Sequence, residues 1–202
     1  MQQRINIVLV GDACVGKTAA ALWLVKGAYT FAPPTVANDT FEIKMNVKGM
    51  KMDVSIWDTA GQESYKSIPR FYYNYASIFI IFFALGNPSN IQKFNPVSTF
   101  ESVTNWYNEV SSSNDQAIIA LCGNMCDIPN EQRSVSTADA NDKAAELGIQ
   151  YFETSSLDGT GIKRMFQTLT EQVIDNRRQK LHQNIEIQIE QVVPEKESKK
   201  CC

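Results

Sequence analysis

Histidine is nearly absent from this chain of 202 residues, with His182 alone. The five cysteines, at 14, 122, 126, 201 and 202, have neither the paired spacing of a zinc site nor the density of a disulfide framework. Free thiols of a cytosolic protein are expected, with Cys122 a small buried hydrophobe, Cys126 a loop residue and His182 solvated. Long apolar runs are missing too. No stretch of about 18 apolar residues occurs and no apolar signal region follows Met1, so neither secretion nor a membrane span is expected. Charge of one sign is also lacking: 19 Lys and Arg against 22 Asp and Glu leave a net charge of −3. Without a basic field, nucleic acid is not an expected partner. What the chain does have is 44% apolar residues, enough to bury the core of one domain, and no internal repeat.

Apolar runs alternate with helical or turn-rich stretches. Ile5 to Val10 is a near-continuous apolar run ending at Gly11, the pattern of a strand buried on both faces. Phe41, Ile43, Met45 and Val47 alternate with polar residues. Lys48-Gly49 then turns the chain into Met52, Val54 and Ile56, an antiparallel hairpin at one side of a sheet. Ser77 to Phe83, Ala117 to Cys122 and Gln150 to Glu153 supply further strands, while Ile162, Met165, Phe166, Leu169 and Val173 share one helical face. The expected fold is α/β: a six-stranded, mostly parallel sheet with one antiparallel strand, flanked by about five helices.

The first chemical signal is Gly11-x4-Gly16-Lys17-Thr18, between a strand and the helix-forming run Ala19, Ala20, Ala21, Leu22 and Leu24. Glycines let backbone N–H groups wrap phosphate oxygens, and a helix N-terminus favours negative charge. Lys17 can bridge the outer phosphates, and the Thr18 hydroxyl can ligate Mg²⁺. The second signal, Ile56-Trp57-Asp58-Thr59-Ala60-Gly61-Gln62-Glu63, follows a strand. A carboxylate there can hold the Mg²⁺ water shell, Gly61 can offer its N–H to a γ-phosphate, and Gln62 can orient the attacking water. In isolation Asp-Thr-Ala-Gly is also an ordinary strand-ending turn.

With these two motifs in order, the sequence resembles the Ras superfamily of small GTPases over roughly residues 4–180. Asn124-Met125-Cys126-Asp127 resembles the family's guanine-reading motif, and Glu153-Thr154-Ser155-Ser156-Leu157 the segment that closes over the base. The Asp127 carboxylate is suited to accept from N1–H and the 2-amino group of guanine, which adenine cannot offer. GTP and GDP are therefore expected over ATP. The resemblance implies a nucleotide site made of Ala13, Cys14, Val15, Gly16, Lys17, Thr18, Ala19, Tyr29, Thr35, Gly61, Asn124, Met125, Asp127, Ser155, Ser156 and Leu157. It implies a Mg²⁺ site of Thr18, Thr35 and Asp58, and catalytic roles for Gln62, Lys17 and Thr35.

Residues 29–40 and 59–73 correspond to the two switch segments, ordered by the γ-phosphate through Thr35 and Gly61 and relaxed after hydrolysis. Exchange factors, GTPase-activating proteins, a dissociation inhibitor or escort protein, and effectors are the implied partners, with the protein itself a monomer. Tyr72-Tyr73 and the terminal Lys199-Lys200-Cys201-Cys202 look most like the Rab branch, whose paired cysteines carry two prenyl chains. Two chains give stable residence on the cytoplasmic face of an intracellular membrane, and one does not. The implied organisation is a GTP-binding domain, 1–178, and a flexible tail, 179–202, with the chain from about Asp175 polar apart from Ile185, Ile187, Ile189 and Val192-Val193-Pro194. Val192-Val193-Pro194 is a candidate dock for a prenylation escort or dissociation inhibitor.

Several residues depart from the family pattern. Ala13 and Cys14 stand where glycines are common, and the position of Ala13 lies close to where the water, Gln62 and an arginine finger would converge, so slow hydrolysis, reduced rather than abolished, is expected. Met125 replaces a lysine and loses the ammonium that ties its loop to the phosphate loop, so faster nucleotide release is expected. Ser156-Leu157 replaces Ala-Lys, the first switch is about one residue short with Phe31 near its tyrosine position, and Leu85 to Val97 forms a long connection. Two functions fit: a hydrolysing switch in vesicle traffic, or a GTP-binding interaction module with little turnover or weak retention. An ATPase is disfavoured by Asp127.

Overall fold

The computed structural model describes residues 4–30, 39–59, 73–87 and 94–192, the last nine as backbone only. The Ile5–Val10 run forms β1 (Ile5–Gly11), and its apolar continuity follows from its place in the sheet. It lies between β3 (Met50–Asp58) and β4 (Ile78–Ala84), in the strand order β2-β3-β1-β4-β5-β6. Strand β2 (Asp39–Val47) is an edge strand and the one antiparallel member; β5 (Ile118–Asn124) and β6 (Gln150–Thr154) extend the parallel part. At the hairpin, Val47 pairs with Met50, while Lys48 and Gly49 take φ of 50° and 80°. Two successive positive φ values suit the strand twist of a two-residue turn, and the glycine carries its share without strain.

Every residue of β4 is buried, and alternation sends its side chains into two cores. Ile78, Ile80 and Phe82 join Ile7, Leu9 and Ile56 beneath α1 (Lys17–Lys26) and α5 (Ile162–Val192). Phe79, Ile81 and Phe83 join Val8, Val10 and Leu121 beneath α3 (Val103–Ser113) and α4 (Thr137–Leu147). A short α2 (Pro96–Glu101) leads into α3, started by Asn95, whose side chain accepts from the Val97 N–H at 3.1 Å, and by Pro96 in the first turn. The arrangement is the expected two-faced α/β sandwich with one antiparallel strand. Its strands point their C-terminal ends, and the loops that follow, toward one edge of the sheet.

Two elements differ from the sequence reading. Strand β5 continues past Cys122 to Asn124, which pairs with Ala84 and Thr154. Gly123 allows this, since a Cβ there would lie 2.6 Å from the Tyr151 hydroxyl and 3.0 Å from the Phe83 ring. Helix α5 runs to Val192 where a flexible tether was expected from about Asp175. No glycine or proline interrupts residues 162–192, so nothing breaks the helix after its buried face ends at Ile174. Whether domain and tail divide near 178 is thus a matter of packing, not of secondary structure. The single histidine, His182, is exposed, as expected. Among the described residues no helix is long and apolar enough to cross a membrane.

Candidate functional site

Where β1 ends the chain has no lateral freedom. A Cβ on Gly11 would stand 2.2 Å from the Phe82 carbonyl oxygen, and its φ of 130° suits glycine alone. The loop then passes Asp12, half-buried Ala13 and exposed Cys14, buries Val15, and enters α1 through Gly16 at φ 92°. No side chain caps that helix, so its first N–H groups point into the loop as a ready anion site. Lys17 reaches back across the loop, its ammonium donating to the carbonyls of Gly11 and Asp12, both at 2.8 Å. Its side chain is 5% exposed. Burial pushes the ammonium down to about 8, against the opposing pull of the Asp58 and Asp12 carboxylates. A buried cation held on two carbonyl dipoles has the charge and donors that a phosphate oxygen takes.

Beside it, the Thr18 hydroxyl donates to Asp58 Oδ2 at 2.5 Å, and Asp58 is fully buried at the end of β3. Hydroxyl and carboxylate oxygens are the hard donors Mg²⁺ takes, with phosphate oxygens and water completing its shell, so the residues fit that ion. Among the described residues no cluster of three His, Cys, Asp or Glu side chains offers another metal site. Thr59, which the sequence reading passed over, fixes the turn after β3: its hydroxyl donates to the Leu9 carbonyl at 2.7 Å. A hydroxyl directly after the strand-ending aspartate is the signal that could have found it.

About the other half of the site, Asn124 is a buried hub. Its amide donates to the Val15 carbonyl at 2.9 Å and to Ser156 Oγ at 3.1 Å, and its oxygen accepts from Thr154 Oγ1 at 3.1 Å. One side chain thus ties the phosphate loop to the segments after β5 and β6. Gly16 leaves the room, since a Cβ there would stand 2.2 Å from the Asn124 amide nitrogen. Asp127 is exposed beyond this hub, and Met125, at φ 69°, packs its side chain against the first core. Ser155 is buried and its hydroxyl accepts from the Leu157 N–H at 3.1 Å, a turn that leaves Leu157 59% exposed. Tyr29 is exposed, and Ala19 is half-buried on α1.

The base-side loop is held from behind by Arg133, a residue with no motif to announce it. Its guanidinium donates to the carbonyls of Ile128 (3.0 Å) and Cys126 (2.8 Å) and forms an ion pair with Glu153 at 3.1 Å, its side chain 8% exposed. Glu153 also accepts from Thr137 and Tyr151, at 2.6 and 3.0 Å. Burial raises the thiols of Cys122 and Cys126, to about 12 and about 11, which keeps both protonated and unreactive at neutral pH.

The structure therefore brings Lys17, Thr18 and Asp58 together, and Asn124 with Ser156 and the phosphate loop. Thr35, Gly61 and Gln62, residues 31–38 and 60–72 of the two switch segments, and Cys201 and Cys202 lie outside the described residues. The model of the Ras family matches residues 6–175. The chain belongs to the Ras family. The mouse Ras-related protein Rab-3C is 31% identical over 178 residues, 87% of this chain and 74% of the relative. Rab-3 of Caenorhabditis elegans is 31% identical with 87% and 77% covered, and the putative Rab-5B of Dictyostelium discoideum 32% with 85% and 76%. This member of the Ras family is accordingly a Rab-like small GTPase, with the six-stranded sheet that its sequence pattern indicated.

Proposed function

We propose that the chain cycles between GDP- and GTP-bound states as a switch in vesicle and membrane traffic, hydrolysing GTP to GDP and phosphate. The observation that carries this reading is Lys17, buried and held across its loop by two carbonyls, beside the 2.5 Å Thr18–Asp58 pair. In it, Lys17 takes the β- and γ-phosphates and the uncapped start of α1 takes their charge. Thr18, Thr35 and the water shell held by Asp58 bind Mg²⁺, which when bound neutralises charge developing on the transferred phosphate. Gln62 orients the water, and Gly61 and Thr35 report the γ-phosphate to the switch segments 29–40 and 59–73.

Asp127 reads the guanine edge, Met125 and Leu157 flank the base with Tyr29 at its rim, and Asn124 with Ser155 and Ser156 holds the surrounding loops. Regulators and effectors engage the switches. Prenylated Cys201 and Cys202 hold the protein on the cytoplasmic face of an intracellular membrane, with a cytosolic pool. A second reading, a GTP-binding module with little turnover or weak retention, draws on Ala13 beside the expected water position and on Met125, which brings no ammonium to the phosphate loop.

Denaturing the purified protein and identifying the released nucleotide tests the first step. Guanine nucleotide is expected, and adenine nucleotide would overturn the assignment. Single-turnover phosphate release, with and without a cognate activating protein, then separates the two readings. Stimulated release supports the switch; release that no activator stimulates supports the module.

A further inference from the structure

Asp12 is the first residue of the phosphate loop after β1, and it is held from two sides. Its backbone carbonyl accepts from Lys17 Nζ at 2.8 Å, and its side-chain Oδ1 accepts from the indole N–H of Trp106 at 2.7 Å, across 94 residues of sequence. Trp106 lies on α3, which is anchored by the fully buried Val103 and Val110, and its ring packs against the second core. The far end of the same helix is tied to the chain leaving the second switch segment. Asn114 Nδ2 faces the carbonyls of Tyr73, Asn74 and Ala76 at 3.3, 3.4 and 3.0 Å, and Tyr73 is buried edge-on to Phe79 with ring centroids 5.2 Å apart. One rigid helix therefore touches the phosphate loop at one end and the exit of the second switch at the other.

A side chain at the first position of a loop that wraps phosphate helps to set the path of that loop, and a carboxylate there is held in place by a fixed donor. Gly11, against the Phe82 carbonyl, gives no latitude on the β1 side, so the position of Asp12 is decided by Lys17 within the loop and by Trp106 from outside it. We infer that Trp106 is a positioning residue of the phosphate loop: its indole N–H latches Asp12, and nucleotide retention depends on that latch and hence on α3. The inference rests on the reading of the loop as a guanine-nucleotide site. It differs from the ordinary satisfaction of a half-buried indole N–H in making release of the ligand, and not fold stability alone, depend on the bond.

The test uses the full chain loaded with mant-GDP and chased with excess GDP. Trp106→Phe, which keeps an aromatic ring and deletes the donor, should release about tenfold faster than the parent, the scale of one charge-assisted hydrogen bond. Asp12→Asn keeps an oxygen that can accept from the indole and should be slowed back toward the parent relative to Asp12→Ala. The double variant Trp106→Phe with Asp12→Ala should release no faster than the faster single variant, because both changes break the same bond. In ¹⁵N-tryptophan-labelled protein, the Trp106 indole N–H signal should move when GDP is replaced by a non-hydrolysable GTP analogue, and should lose its hydrogen-bonded shift in Asp12→Ala.

Unchanged release from Trp106→Phe, or effects that multiply in the double variant, would overturn the latch. So would an indole signal indifferent to Asp12→Ala. Should Trp106→Phe lose its thermal transition, Asp12→Ala and Asp12→Asn decide the matter, since neither removes a core side chain. A parent chain that takes up no mant-GDP at all sinks the nucleotide reading itself, whereas uptake with equal release from every variant sinks the latch alone.

Discussion

The phosphate half and the base half of the candidate site are built on opposite principles. The first concentrates charge: Lys17 and Asp58 are both buried, and the Thr18–Asp58 contact is only 2.5 Å. The second is organised by a neutral amide, Asn124, with its hydroxyl partners, and the partly exposed ion pair Arg133–Glu153 stands behind the loop that carries Asp127. Buried charge admits few replacements, because an unpaired ion in low dielectric is costly. A neutral scaffold admits substitution at its rim. Two departures in the base half are of that rim kind, Met125 half-buried and Leu157 exposed; the third, Ser156, is buried and adds a neutral hydroxyl partner to an intact Asn124.

If that contrast is right, its largest expression is at Lys17. Lys17→Met should weaken mant-GTP binding about 100-fold or more, since it removes charge-assisted bonds to phosphate. Equilibrium titration measures this, and a change under about threefold would break the comparison. The counterpart in the base half is Arg133→Met, which removes the ion pair to Glu153 and the donors to two loop carbonyls, leaving Glu153 its Thr137 and Tyr151 donors. It should cost about 2 kcal/mol in urea unfolding, the scale of lost hydrogen bonds from a charged donor, with mant-GDP release accelerated through the loosened 126–128 loop. Lost affinity without lost stability would show that Arg133 acts on the ligand and not through the loop.

The pH dependence sharpens the contrast further. Burial in the fold holds Lys17 down to about 8, against 10.5 for the exposed side chain of the unfolded chain. Between those values the unfolded chain keeps a proton the folded one has shed, so the contribution of Lys17 to stability rises across that window. Below about 8 both states are protonated and its burial cost is present in full. Phosphate needs the ammonium, so affinity runs the other way, and mant-GDP binding should weaken about tenfold between pH 8 and pH 9 to 9.5. A flat titration would mean that the ammonium persists on the two loop carbonyls alone.

The smallest effect belongs to the rim. Met125→Lys should slow mant-GDP release about threefold by restoring an ammonium near the phosphate loop. If release is no slower, the loop is already fully held by Asn124 and Arg133.

Much of the architecture was legible because its causes are local. Continuous apolar runs mark β1 and β4, which are buried on both faces, and strict alternation marks β2, which is solvated on one. Lys48-Gly49 is a two-residue turn in sequence and in space. The end of α5 was not legible from composition. Polarity after Ile174 says where packing stops, whereas helix continuation depends on the absence of a breaker before Pro194. Strand β5 likewise outran its apolar run, because Asn124 satisfies its polar side chain internally and can stay in the ladder.

By itself the sequence determined the Lys17–Thr18 loop, the carboxylate ending β3 and the Asn124–Asp127 pattern, since glycine spacing, charge and strand periodicity are properties of neighbours in the chain. Only the tertiary structure decided what holds those motifs to one another: Thr59 on Leu9, Asn124 on Val15 and Ser156, Arg133 on Cys126 and Ile128, and Trp106 on Asp12. Apart from Arg133, which reaches carbonyls five and seven residues back, these are hydrogen bonds across distant segments. Their partners share no spacing rule, because the register of packed strands and helices sets them face to face.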